Sequence, residues 1–181
     1  MQQYRIVITG VRALLMHNGM LADPIDPRAR RIKAITNIQA SKRSDEDHEA
    51  LAHAEFDGGL YMNAEGPYVQ AESIIAGLMS VAGSVKKNLG SAVAGGVMVE
   101  EPEITLLYAG PRTADGLWAA RKPSGQRRFV DRRIVNLTPS SIKGSKGPRT
   151  RPRFYIHWSV EFTIAVVDWL TAKGILFAAI P

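Results

Sequence analysis

Two periods organise the hydrophobic positions of this chain. Near the N-terminus Tyr4, Ile6 and Ile8 alternate with Arg5, Val7 and Thr9, the period of two that a strand imposes on its side chains. The same alternation runs from Phe154 to Val167. There Phe154, Ile156, Trp158, Val160, Phe162, Ile164 and Val166 would share one face, opposite Tyr155, His157, Ser159, Glu161, Thr163 and Ala165. As a single strand it is more than twice the usual length of about 5–6 residues, so a bend, a bulge or a projecting ribbon is expected.

Helical spacing fills much of the interval. Ala29, Ile32, Ile35 and Ile38 recur with Arg28, Arg30, Arg31 and Lys33 between them, behind Pro27, which suits a first helical position. Ser44 followed by Asp45, Glu46 and Asp47 opens a second helix, which should stop at Gly58-Gly59. Its inner face, Leu51, Ala54 and Glu55, is thin and predicts peripheral packing. The strongest helical pattern covers 71–87, with Ile74, Ile75, Leu78, Met79, Ala82 and Val85 on one side. Gly77 and Gly83 inside it each cost roughly 1 kcal/mol relative to Ala, which predicts close packing against a neighbour.

Residues 60–69 read as a short hairpin, 90–96 as a small, flexible run, and 97–99, 104–108 and 127–137 as strands. A turn-rich loop at 139–148 and a last helix at 169–179 complete the pattern. Strands and helices are not strictly interleaved, so the expected class is α+β, a mostly antiparallel sheet with packed helices. A length of 181 residues suits a single domain, 1–181, carrying a helical insertion at about 24–58 and a basic loop or ribbon at about 121–153.

Charge sharpens this outline. The formal net charge is +6, and residues 121–153 hold 11 of the 23 Lys and Arg residues against one acid, Asp131. The rest of the chain is therefore net acidic. Such concentration predicts a localised electrostatic footprint. Arg121, Lys122, Arg127, Arg128, Arg132, Arg133, Lys143, Lys146, Arg149, Arg151 and Arg153 could follow a phosphodiester backbone, assisted by Arg28, Arg30, Arg31 and Lys33. The planar fork of Arg suits phosphate contacts and base stacking. Among the interleaved aromatics, Phe154 and Trp158 belong to the apolar face, whereas Tyr155 and His157 lie on the other and are the better ligand contacts.

Catalytic signals are sparse. With no cysteine there is neither a disulfide framework nor a thiolate site. His48 and His53 stand five apart, which misses the spacing of two ligands on one helix face. No phosphate-cradling loop of the Walker type occurs, and no metal or cofactor is expected. His17, in Met16-His17-Asn18-Gly19, is the one weak catalytic candidate, as general base in metal-independent RNA cleavage. No run approaches the roughly 20 apolar residues that span a bilayer, and no secretory leader is evident. A soluble, cytoplasmic protein without membrane partners is expected.

Residues Val7 to Gly19, Phe56-Asp57-Gly58-Gly59-Leu60-Tyr61, the helix at 71–87, and Arg151-Pro152-Arg153-Phe154 with Trp158 together resemble a poorly characterised phage and prophage family. That layout is distantly similar to the RAMP superfamily, which includes the backbone subunits of CRISPR surveillance complexes. The resemblance implies a ferredoxin-like, RRM-derived core and a non-catalytic protein that binds single-stranded RNA while assembling along it, in a bacterial host cell. The glycine-rich loop of such proteins after the last helix has no counterpart before Pro181. The primary expectation is thus a non-catalytic binder of single-stranded DNA or RNA, as a homo-oligomer or a subunit of a larger assembly. A structural protein of a virion or filament, and an RNA-processing nuclease using His17, are the alternatives.

Overall fold

Helices and short antiparallel strands make an α+β architecture, as the patterns predict. The computed structural model describes residues 1–136 and 146–167, the side chain of Ala40 excepted. In chain order the strands are β1 (Gln2–Thr9), β2 (Leu14–Leu15), β3 (Met62–Asn63), β4 (Gly66–Gln70), β5 (Val97–Val99), β6 (Glu103–Thr105), β7 (Val130–Asn136), β8 (Lys146–Phe154) and β9 (Ser159–Val166). The helices are α1 (Pro27–Thr36), α2 (Asp45–Gly59), α3 (Ala71–Val85), α4 (Leu89–Gly96) and α5 (Ala114–Ala119). The predicted helix at 169–179 and most of the predicted loop at 139–148 lie outside the described residues. Among those described, no helix is long and apolar enough to cross a membrane. The chain divides into two compact units, one of Met1–Thr9, Tyr68–Leu107 and the segment from Ser159, the other of Gly10–Pro67 and Tyr108–Trp158.

In the first unit β9 is the centre of an antiparallel sheet ordered β1-β9-β5. Val160, Phe162, Ile164 and Val166 alternate into the core, which is what the period of two requires. The Glu101 carboxylate accepts the Thr163 amide at 2.8 Å, and this bond holds its pKa below the usual carboxylate range. Helix α3 forms where expected, but Gly77 and Gly83 approach nothing within 4 Å. The close contact lies instead at Gly90, where an added Cβ would sit 2.7 Å from the Met79 carbonyl oxygen. The run read as flexible is α4, whose small residues let it cross α3 at backbone distance.

The second unit is built on α2, and here the peripheral placement expected from sequence is corrected. Leu51, Ala52, Ala54, Glu55, Phe56, Gly58 and Gly59 are all buried. Four of these seven are Ala or Gly, which add little apolar signal but permit close approach: an added Cβ on Gly59 would lie 2.9 Å from Pro152. The N-terminus closes with a capping box between Ser44 and Asp47, at 3.2 and 3.0 Å. Helix α1 starts at Pro27 behind Asp26, whose carboxylate accepts the Arg28 amide at 2.8 Å and pairs with the Arg28 guanidinium. Beside them runs a sheet ordered β2-β8-β7.

The long alternating stretch is not one strand. It breaks between Phe154 and Ser159, where His157 takes a positive φ of 72° and Ile156 is exposed, so the bend demanded by length falls at 155–158. Gly10 fixes the Trp158 end: its amide donates to the Trp158 carbonyl at 2.7 Å, and its carbonyl accepts the His157 amide at 2.9 Å. A Cβ on Gly10 would overlap the Trp158 ring, 2.0 Å from Cε2. Phe154, Phe129 and Tyr108 pack together at centroid separations of 4.8–5.9 Å; both phenylalanines are buried, Phe154 as its pattern predicts.

Candidate nucleic-acid interface

The basic tract folds largely into the paired strands β7 and β8. Their register sets Asp131 opposite Arg151, Arg133 opposite Arg149 and Arg132 opposite Thr150, and opposed residues share a face of the sheet. Arg133, Arg149 and Arg151, with Arg153 two residues on, therefore gather around the single acid of the tract. Asp131 is buried. It accepts Arg133 at 2.5 and 2.9 Å and lies 3.6 Å from Arg153. Two guanidinium groups share this one carboxylate, so the pairing leaves a positive remainder.

Other acids come from α2. Glu55, also buried, pairs with Arg149 at 3.0 Å and accepts the Thr150 amide at 2.8 Å through its second oxygen. Glu49 pairs with Arg127. No carboxylate partner is found among the described residues for Arg121, Lys122, Arg128, Arg132, Lys146 or Arg151. On α1 the guanidiniums of Arg28 and Arg31 meet Asp26 and Asp57, whereas Arg30 and Lys33 meet no acid among the described residues. Lys143 lies outside the described residues.

Two clefts in this unit draw on these side chains. The smaller, of about 380 Å³, is lined by Trp118, Lys122, Arg127, Arg132, Arg153 and Tyr155 together with Glu49, Asp131 and other residues. Trp118 is already engaged there: His53 stacks on it at 4.6 Å, and the Arg127 guanidinium sits 3.8 Å from its centroid. Tyr155 is half-buried and likewise engaged, with Lys122 at 5.0 Å and Arg153 at 4.8 Å from its ring centre. A nucleobase would take a face of this ring by displacing one of these cations onto its phosphate.

The larger cleft, of about 610 Å³, opens between α1 and the β7–β8 pair. From α1 it takes Ala29 and Ile32, not the arginines of that helix, so a common basic wall is not what the two elements share. His17, Glu55, Asn136, Arg149, Thr150 and Arg151 form its polar side. The turn carrying His17 is held by Asn18, which donates to the Leu60 carbonyl at 2.9 Å and accepts the Met20 amide at 3.0 Å. Burial chiefly, then the charges of Arg151 and Arg149, hold the His17 pKa below the ordinary imidazole value. Glu55 belongs to the expected face of α2, but its bonds to Arg149 and the Thr150 amide depend on packing between distant elements that no local pattern announces.

Comparison of the chain with protein-family models, curated proteins and solved structures found no match. The site is therefore read from its own chemistry.

Proposed function

We propose that the second unit binds single-stranded nucleic acid, as a binding protein rather than an enzyme. The observation that carries this reading is the surplus of cations left after internal pairing. Arg121, Lys122, Arg128, Arg132, Lys146 and Arg151 remain without a carboxylate among the described residues; of these, Lys122 and Arg132 line the cleft that holds Tyr155, and Arg151 lines the larger one. A polyanion with accessible bases complements both features. A single strand does so better than a duplex, whose bases are already stacked on one another.

Each phosphate neutralised on a single strand contributes about −0.7 to the slope of log affinity against log salt. If most of the unpaired cations reach phosphates, the slope is about −3 to −4. Filter binding against single-stranded DNA, single-stranded RNA and duplex at several salt concentrations tests this. Absence of measurable affinity at low salt overturns it.

The finer reading extends the proposal: a RAMP-like protein with a ferredoxin-like core, assembling along the strand in the cytoplasm of a bacterial host. Its support is the sequence resemblance, together with the antiparallel sheet and two helices of the first unit.

A further inference from the structure

We propose that the larger cleft holds one nucleotide of the bound strand, its base against Leu21, Ala29 and Ile32 and its phosphate against Arg151 and His17. The inference rests on the strand-binding reading and gives it a base-dependent component.

Several independent features of the cleft fit a nucleotide. Its volume of about 610 Å³ lies within the usual range for small-ligand sites, roughly 300–1,000 Å³. Its lining is mixed: Leu21, Ala22, Ala29 and Ile32 are apolar, and β7 and β8 bring Asn136, Arg149 and Arg151 together with Val135. A surface that met only phosphates would have no use for the apolar residues. Among the polar ones Arg149 and Glu55 cancel, so Arg151 is the uncompensated charge, with His17 beside it as a second donor to an anion.

Asn136, in the lining, offers an amide that both donates and accepts, as the edge of a base requires.

The decisive probe is a nucleoside 5′-monophosphate compared with ribose 5-phosphate, followed through the ring-proton resonances of His17, which are assigned by loss in His17→Gln. The nucleotide should shift these resonances at roughly tenfold or more lower concentration than the sugar phosphate, from the apolar area a base buries against Leu21, Ala29 and Ile32. Ala22→Trp blocks the mouth at an exposed position. It should abolish that difference without affecting folding, and circular dichroism checks the folding. Equal response to both probes, no response to either, or an undiminished difference in Ala22→Trp overturns the nucleotide site.

Parallel anisotropy titrations with an intact strand and its abasic counterpart separate the two readings. Failure of both strands to bind at low salt removes the strand-binding function. Tight but equal binding of the two strands leaves that function intact and removes the pocket.

Discussion

Replacing Glu55 should move stability and nucleic-acid binding in opposite directions. Its buried carboxylate accepts Arg149 at 3.0 Å and the Thr150 amide at 2.8 Å. Glu55→Gln keeps the shape and one acceptor, so the Thr150 amide stays satisfied, while the new NH₂ meets the guanidinium donor to donor. The Arg149 side chain is 47% exposed, so solvent already screens the lost pair and its net worth is about 0–1 kcal/mol. Glu55→Ala also strands the Thr150 amide, adding about 1–3 kcal/mol for a buried donor without a partner. Urea denaturation should therefore rank wild type above Gln and Gln above Ala. Freed from its carboxylate, Arg149 becomes available to a phosphate. The salt slope of strand binding in Glu55→Gln should then steepen by about 0.7. A Gln variant that loses stability with an unchanged or shallower slope would show that Arg149 serves only the fold, and the reasoning would fail.

Arg132→Gln should reduce the salt slope by about 0.7 with little loss of stability, since Arg132 has no acid partner among the described residues; an unchanged slope removes it from the interface. Gly10→Ala should destabilise by about 1–3 kcal/mol as the Trp158 ring is displaced, measured by denaturant midpoint; a neutral result would contradict the 2.0 Å approach. Ser44→Ala opens the capping box of α2 and should cost about 1 kcal/mol, read in the same assay. The fourth concerns pH. Arg149 and Arg151 on β8 and Glu55 on α2 are the charged groups lining the cleft with His17, and free His17 titrates below its ordinary value. A bound phosphate raises that pKa, so binding takes up a proton. Affinity should increase as pH falls through the window between the lowered free value and the raised bound one, and His17→Gln should flatten the profile. In the free protein the sign is opposite: stability contributed by the depressed His17 is present above its unfolded pKa and is lost as pH falls through the folded one.

Much of the architecture was legible because local chemistry fixes it. Pro27 behind Asp26, Ser44 ahead of Asp47, and the alternation of Val160 to Val166 each state an element and its boundary without reference to anything distant. The errors lie where packing decides. In α2 the buried residues include Ala52, Ala54, Gly58 and Gly59, and small residues give a weak periodic signal however closely they pack. Gly77 and Gly83 were read as contact points on the ground that a glycine in a helix must have a reason, yet the close crossing is at Gly90. The turn at 155–158 was hidden because alternation continues through it: Ile156 fits the apolar phase and is nonetheless exposed.

Charge density in the tract was equally plain, whereas the identity of the free cations was not. Asp131 neutralises a neighbour two residues away, a pairing that strand geometry alone implies. Glu49 and Glu55 reach across 78 and 94 residues to Arg127 and Arg149, and nothing near either arginine announces them. What decides the outcome is the phase of α2. Glu49, Ala52, Glu55 and Gly59 are spaced by three, three and four, and so lie on one helical face. That face meets β8 at Pro152 and Thr150. The acids on it therefore tie Arg127 and Arg149 to the fold, while Arg132, on the opposite face of the strand pair, and Arg151, two residues beyond Arg149, are left without a carboxylate among the described residues. The polarity of the basic surface is thus set by a helix whose own sequence reads as acidic.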